Sequence, residues 1–367
     1  MRAPRHQGAL RARRPVLRVA AWATLMLSGL AVVAVVVAVV GTESAPPVVG
    51  ALSETARTLP AAVPAAELTD ATGVWHLDTV GPSEFDDPMA GGSAVADVDS
   101  DGDLDLVVAH GDLRILRWGG AGYLPPVVVE LGTALAVSTA DVDSDGWTDL
   151  LVARARASDT IVWGGEWIER GTRPDTTEIG GSNTSGALLA GELTGDDRID
   201  IVRLGRGARD STDIVWEALT RRDFDPVELP DGDRLSLAGE LIDVDHDGLL
   251  DIWVTRDVGW LEGGDSLFSR GGDPTGPWVD VAPRLGAALE VDGMGVTIAD
   301  LDGDRVLDAY VSDIGDNEVL LGRTDGFEPA TDTGAARIRP PGSADSVISS
   351  SWASGATDLN LDGRVDL

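Results

Sequence analysis

Asp97-Val98-Asp99-Ser100-Asp101-Gly102-Asp103-Leu104-Asp105 is the stretch that decides how this chain folds. Carboxylates at positions 1, 3, 5 and 9 crowd their charges into nine residues. Two unit charges about 4 Å apart repel by roughly 4 kcal/mol at an effective dielectric near 20. Such a loop is expected to be loose without a cation. A hard divalent ion that takes roughly six to eight oxygens relieves the repulsion, and Ca2+ suits the set best. Asp97, Asp99, Asp101 and Asp105 would supply side-chain oxygens, and Asp103 at position 7 a backbone carbonyl. Gly102 at position 6 allows the sharp turn that wraps the chain around an ion.

The pattern returns four more times. The second loop offers Asp141, Asp143, Asp145, Trp147 and Asp149, and the third full copy offers Asp243, Asp245, Asp247, Leu249 and Asp251. Then come Asp300, Asp302, Asp304, Val306 and Asp308, and finally Asp358, Asn360, Asp362, Arg364 and Asp366. In each, the residue at position 7 contributes its carbonyl. Gly146, Gly248 and Gly363 repeat the position-6 glycine, whereas Arg305 replaces it in the Asp300 loop. Asn360 stands at position 3 but still offers an oxygen. A degraded copy runs from Glu192 to Asp200, with Thr194 at position 3, Asp196 at position 5 and Asp197 where glycine is expected. About five Ca2+ sites are expected, with a possible sixth at Glu192–Asp200.

An EF-hand would need a bidentate Glu at position 12 and a helix after the loop. Here position 12 is Val108, Val152, Val254 and Val311. The residues after position 9 read Leu-Val-Val, Leu-Val-Ala, Ile-Trp-Val and Ala-Tyr-Val, which is strand chemistry. Short apolar runs such as Ala94-Val95-Ala96 also precede position 1, so each loop is expected to join two strands. Loop starts at 97, 141, 192, 243, 300 and 358 are separated by 44, 51, 51, 57 and 58 residues. Short strands repeating at that period predict an all-β propeller of about six to seven four-stranded blades. Trp118-Gly119-Gly120, Trp163-Gly164-Gly165, Val215-Trp216, Gly259-Trp260 and Leu321-Gly322 recur in phase, which predicts packing between blades rather than ligand platforms.

The chain has 367 residues, a formal net charge of -34 and no cysteine, so disulfides and zinc-thiolate sites are excluded. No basic face exists outside the N-terminus, which argues against nucleic-acid binding. Residues 1–18 form a basic tail, expected on the cytoplasmic side. Residues 19–40 hold no charge and are long enough to span a bilayer, as an anchor or, if cleaved, a signal. Residues 41–66 read as an Ala/Pro-rich linker. Residues 67–367 form the repeat body, whose last blade is expected to be incomplete at Leu367. The body is expected outside the cytoplasmic membrane, tethered there or secreted.

The loop between strands, its period and the trailing turn resemble FG-GAP/VCBS-type repeats, the blades of integrin-α-like β-propellers. Leu68-Thr69-Asp70-Ala71-Thr72-Gly73-Val74, Trp278-Val279-Asp280-Val281-Ala282, and Asn317-Glu318-Val319-Leu320-Leu321 ending in Asp325-Gly326-Phe327 are similar to bacterial proteins of the cartilage-acidic-protein-like branch. The resemblance implies a binding or adhesion module for a protein or glycan, with structural calcium, and not an enzyme. The alternatives are a polysaccharide-acting enzyme on the same scaffold and a surface spacer. The only histidines are His6, His76, His110 and His246, and no Gly-x-Ser-x-Gly elbow, metalloprotease motif or phosphate loop occurs.

Overall fold

A computed structural model of the chain describes residues 91–181, 183–206, 212–330, 352–358 and 362–367. The basic tail, the apolar segment 19–40, the linker and the residues up to 90 lie outside the described residues, as does Asn360.

Each acidic loop up to Asp308 joins two antiparallel strands. The first loop lies between β1 (Gly92–Ala96) and β2 (Asp105–Leu116), the second between β3 (Val127–Ala140) and β4 (Asp149–Arg154). β5 (Asp159–Val162) and β6 (Thr176–Ile179) complete that sheet. β2 doubles back on itself at Gly111, because the Trp118 amide donates to the Asp105 carboxylate at 2.8 Å. β3 pairs with β2 over Val127–Val129 and with β4 over Ala134–Ala140, with Ala134 also opposite Gly111 of β2. The continuous six-stranded ladder is therefore two four-stranded units joined through β3.

Three further four-stranded antiparallel sheets follow. The first is β7 (Ser185–Gly191), β8 (Asp200–Gly205), β9 (Ile214–Thr220) and β10 (Asp223–Glu228). The next is β11 (Ser236–Ile242), β12 (Asp251–Arg256), β13 (Ser266–Ser269) and β14 (Val279–Asp280). The last is β15 (Gly293–Ala299), β16 (Asp308–Asp313), β17 (Glu318–Arg323) and β18 (Gly326–Pro329). The last acidic loop is bracketed by a bridge between Thr357 and Asp366. Among the described residues helix is confined to single turns: α1 (Trp167–Arg170), α2 (Gly259–Glu262) and α3 (Ala282–Leu285).

The strand after each loop is buried on both faces, as in β8, β12 and β16, so these strands show unbroken apolar runs instead of alternation. The core lies between successive sheets. Leu151, Ile161 and Trp163 pack on Leu188 and Ile201 of the next unit. Val202 and Val215 pack on Ile252, Val254 and Phe268. Trp253 and Leu267 pack on Val296, Ala309 and Phe327. Consecutive sheets thus stack face to face, the arrangement of a propeller. Trp163 sits in one of these seams, so the phased tryptophan there is a packing residue.

Candidate metal-binding loops

The loops share one internal geometry. The position-1 carboxylate receives the amides of positions 5 and 6: Asp97 from Asp101 (3.1 Å) and Gly102 (3.0 Å), Asp141 from Asp145 (3.0 Å) and Gly146 (2.9 Å). Asp243 and Asp358 repeat both bonds. In the Asp300 loop the donors are Gly303 and Arg305. The position-5 carboxylate takes the amide of position 7, as in Asp101 from Asp103, Asp145 from Trp147, Asp247 from Leu249, Asp304 from Val306 and Asp362 from Arg364. Backbone N–H groups therefore hold the loop wound, a contribution that counting carboxylates alone omits.

In the five loops up to Asp308, two residues each adopt left-handed backbone, at positions 4 and 6. The pairs are Ser100 (φ 59°) and Gly102 (φ 93°), Ser144 (56°) and Gly146 (92°), and His246 (58°) and Gly248 (89°). Where position 6 is not glycine, position 4 is: Gly303 (81°) accompanies Arg305 (73°), and Gly195 (71°) accompanies Asp197 (63°). The two departures noted at position 6 are thus accompanied by a glycine two residues earlier.

Position 9 is different from the other acids. Asp105, Asp149, Asp200 and Asp308 are fully buried, and Asp251 nearly so. One oxygen of Asp149 accepts the Val142 amide (2.8 Å), and the other accepts Gly164 (2.7 Å) from the third strand. Asp105, Asp200 and Asp308 make the same pair of bonds, to Val98 and Trp118, Leu193 and Ala218, and Leu301 and Gly322. Burial pushes the Asp105, Asp149, Asp200 and Asp251 carboxyls up to about 6, against the lowering effect of their backbone donors. These aspartates brace the loop to the sheet. A carboxylate oxygen has a second lone pair, so the bond does not bar it from a cation.

Carboxylate oxygens converge within 4.8 Å of one another in four loops: Asp97, Asp99 and Asp101; Asp141, Asp143 and Asp149; Asp243, Asp245 and Asp251; and Asp300, Asp302 and Asp304. Asp103 lies outside the first trio, so its offer to an ion is its carbonyl. No such trio forms at Glu192–Asp200 among the described residues. The donor set fits a hard cation. In the first loop Asp99 is 6% exposed and its Oδ1 has no hydrogen-bond partner. In the second, an arginine stands beside the ligands, with Arg222 Nη2 2.5 Å from Asp143.

A second register of polar groups at the opposite end of the sheets escaped the sequence reading. Asp159, Asp213, Asp265 and Asn317 each accept a backbone amide across the turn after the loop-following strand, from Arg154, Gly205, Arg256 and Asp313 at 2.7–2.9 Å. Asp159 also binds Ser185 Oγ (2.7 Å) and Arg203 Nε (2.9 Å) of the next sheet. Asp213 repeats this with Ser236 (2.9 Å) and Arg256 (2.7 Å). The signal was an acid or amide placed 9 to 14 residues after position 9, lost among the other acids of an acidic chain.

Among curated proteins none matches this chain. Among solved structures it is similar to BBS1N in complex with ARL6DN. The lead-soaked crystal gives 15% identity and a TM-score of 0.42, covering 66% of this chain and 70% of that one. The mercury-soaked crystal gives 14% and 0.43, covering 65% and 68%. The V. cholerae biofilm matrix protein Bap1 gives 15% and 0.39, covering 67% of this chain and 40% of its own. An FG-GAP-like repeat matches residues 97–152, which hold the first two acidic loops and the sheet between them.

Proposed function

We propose that this chain is a calcium-stapled, extracellular β-propeller that binds a protein or glycan, tethered to the membrane through residues 19–40. The observation behind this reading is the recurrence of one nine-residue acidic loop at the same end of successive sheets, over a match to an FG-GAP-like repeat. Calcium bound by the folded state alone would stabilise it by mass action. Its role is to hold loop and sheet together, leaving the remaining surface for a partner. The integrin-α-like comparison and the bacterial cartilage-acidic-protein-like branch belong to this proposal, on the residues quoted above.

The reading is of a binding module and not an enzyme. The test is a screen of the full-length chain, with calcium, against immobilised glycans and surface proteins, alongside a product assay on the same polysaccharides. Calcium-dependent retention without product is the expected result. Release of shortened saccharide would overturn it in favour of catalysis.

A further inference from the structure

The acidic loops differ in whether an arginine already stands on them. In the second loop the contact is made by the neighbouring unit. The turn between β9 and β10 carries Arg221 and Arg222 back to it. Arg222 Nε and Nη2 both lie 2.5 Å from Asp143 Oδ2, with Asp145 at 3.6 Å. Arg221 Nη1 donates to the Ser144 carbonyl at 3.2 Å. The other oxygen of Asp143 takes the Asp145 amide at 3.2 Å. The Asp143 side chain is 4% exposed and that of Arg222 43%, so water screens the pair from the arginine side only. The Arg222 guanidinium is also stacked 4.4 Å from the centre of the Trp163 ring.

In the degraded Glu192 loop Arg198 pairs with Asp196 of its own loop. In the Asp97 and Asp300 loops the arginines are farther away. Arg117 is 3.4 Å from Asp99 in the first loop, and Arg323 is 3.8 and 3.4 Å from Asp302 and Asp304. In the Asp243 loop no arginine or lysine pairs with Asp243, Asp245, Asp247 or Asp251 among the described residues. Asp245 there is bonded by Ser269 Oγ at 3.5 Å and by the Asp247 backbone, both neutral donors.

A guanidinium is a unit cation that has taken part of the place of a dication. Calcium entering the second loop needs an oxygen of Asp143, which already carries the guanidinium on Oδ2 and the Asp145 amide on Oδ1. Two cations on one buried carboxylate repel, so each weakens the other's hold. We propose that Arg222 is a built-in competitor that lowers the calcium affinity of the second loop and ties its filling to the contact between the second and third units. The Asp243 loop, which has no such competitor, fills first. This rests on the calcium reading above.

Trp147 makes the second loop separately visible, because it is the only tryptophan inside an acidic loop. Terbium bound there is sensitised by that indole, and Trp147→Leu identifies its share of the emission. In the full-length chain, Arg222→Gln should tighten terbium and calcium binding at the second loop by about tenfold, the scale of one charge-assisted hydrogen bond. Calorimetry should show the other steps unchanged, and Asp245→Ala should remove the tightest one. Calcium should also shift Trp163 emission in the parent as Arg222 leaves the ring, and not in Arg222→Gln. Arg222→Lys, which keeps the charge but not the paired donors, should fall between. Unchanged affinity at the second loop in a folded Arg222→Gln variant overturns the proposal, as does filling of that loop before the Asp243 loop. A folded parent that binds no calcium overturns the calcium reading and this one with it.

Discussion

Position 9 separates two roles that one residue type plays in these loops. Asp149 is buried with both oxygens on backbone amides, so Asp149→Ala leaves two buried N–H groups unpaired. That should cost about 2–4 kcal/mol in chelator as well as in calcium. Asp99→Ala removes one oxygen that no donor satisfies and one at the edge of reach of Arg117, 3.4 Å away, so most of its cost should appear only when calcium is present. Urea unfolding of both variants with and without chelator checks this, and equal losses in the two conditions for Asp99→Ala would contradict it. The carboxylates themselves were legible in the sequence. Their division into braces and open ligands was not, because the partner amides of Asp149 come from Val142 and from Gly164, 15 residues away on another strand.

Asp265 gives the clearest pH dependence outside the loops. In the preceding seam Asp213 meets Ser236 and Arg256, but here Gly293 and Asp313 stand at those register positions. Its Oδ2 is buried without a hydrogen-bond partner. Burial pushes its carboxyl up to about 7, and Asp313 adds to the rise. The folded state then binds a proton that the unfolded chain has released, so stability falls as pH rises from about 4 to 7. Asp265→Asn imitates the protonated acid, and Asn317 already occupies the corresponding place one sheet later. The variant should gain about 1–3 kcal/mol at pH 8 and little at pH 5, one pH unit of linkage being about 1.4 kcal/mol. Parallel loss at both pH values would contradict the assignment.

At the scale of the element, the loop and the third strand form one unit. The recurring Trp-Gly step was visible in the sequence, but its cause was not. A Cβ on Gly164 would lie 2.6 Å from the Trp147 Cβ and 2.7 Å from the Thr148 carbonyl. On Gly322 it would lie 2.2 Å from the Leu307 carbonyl. The glycine lets the third strand pass against the loop closely enough for its amide to reach position 9. Gly164→Ala should therefore cost about 1–3 kcal/mol through overpacking. It should also weaken ion binding at the second loop alone, read from Trp147-sensitised terbium emission. An unchanged melting temperature would show that the loop tolerates the shift. The exchange of glycine between positions 4 and 6 was legible only in hindsight, since either position can supply the freer residue.

For the whole molecule, the period and the strand chemistry after each loop were enough to anticipate successive four-stranded sheets. The seams between sheets were less legible. Apolar strands buried on both faces say that neighbours exist on each side, but not which residues meet. The Asp159–Ser185–Arg203 and Asp213–Ser236–Arg256 contacts unite residues up to 44 positions apart, and nothing local marks them. They show that two of the seams between sheets are closed by buried ion pairs at the end opposite the acidic loops. The account makes calcium the staple of the loop end. Its most direct test is a calcium titration of the full-length chain by calorimetry, with melting followed in parallel. About five bound ions and a melting temperature that climbs with free calcium are predicted. A chain that shows β-sheet circular dichroism yet binds no calcium, and melts identically in chelator, would contradict it.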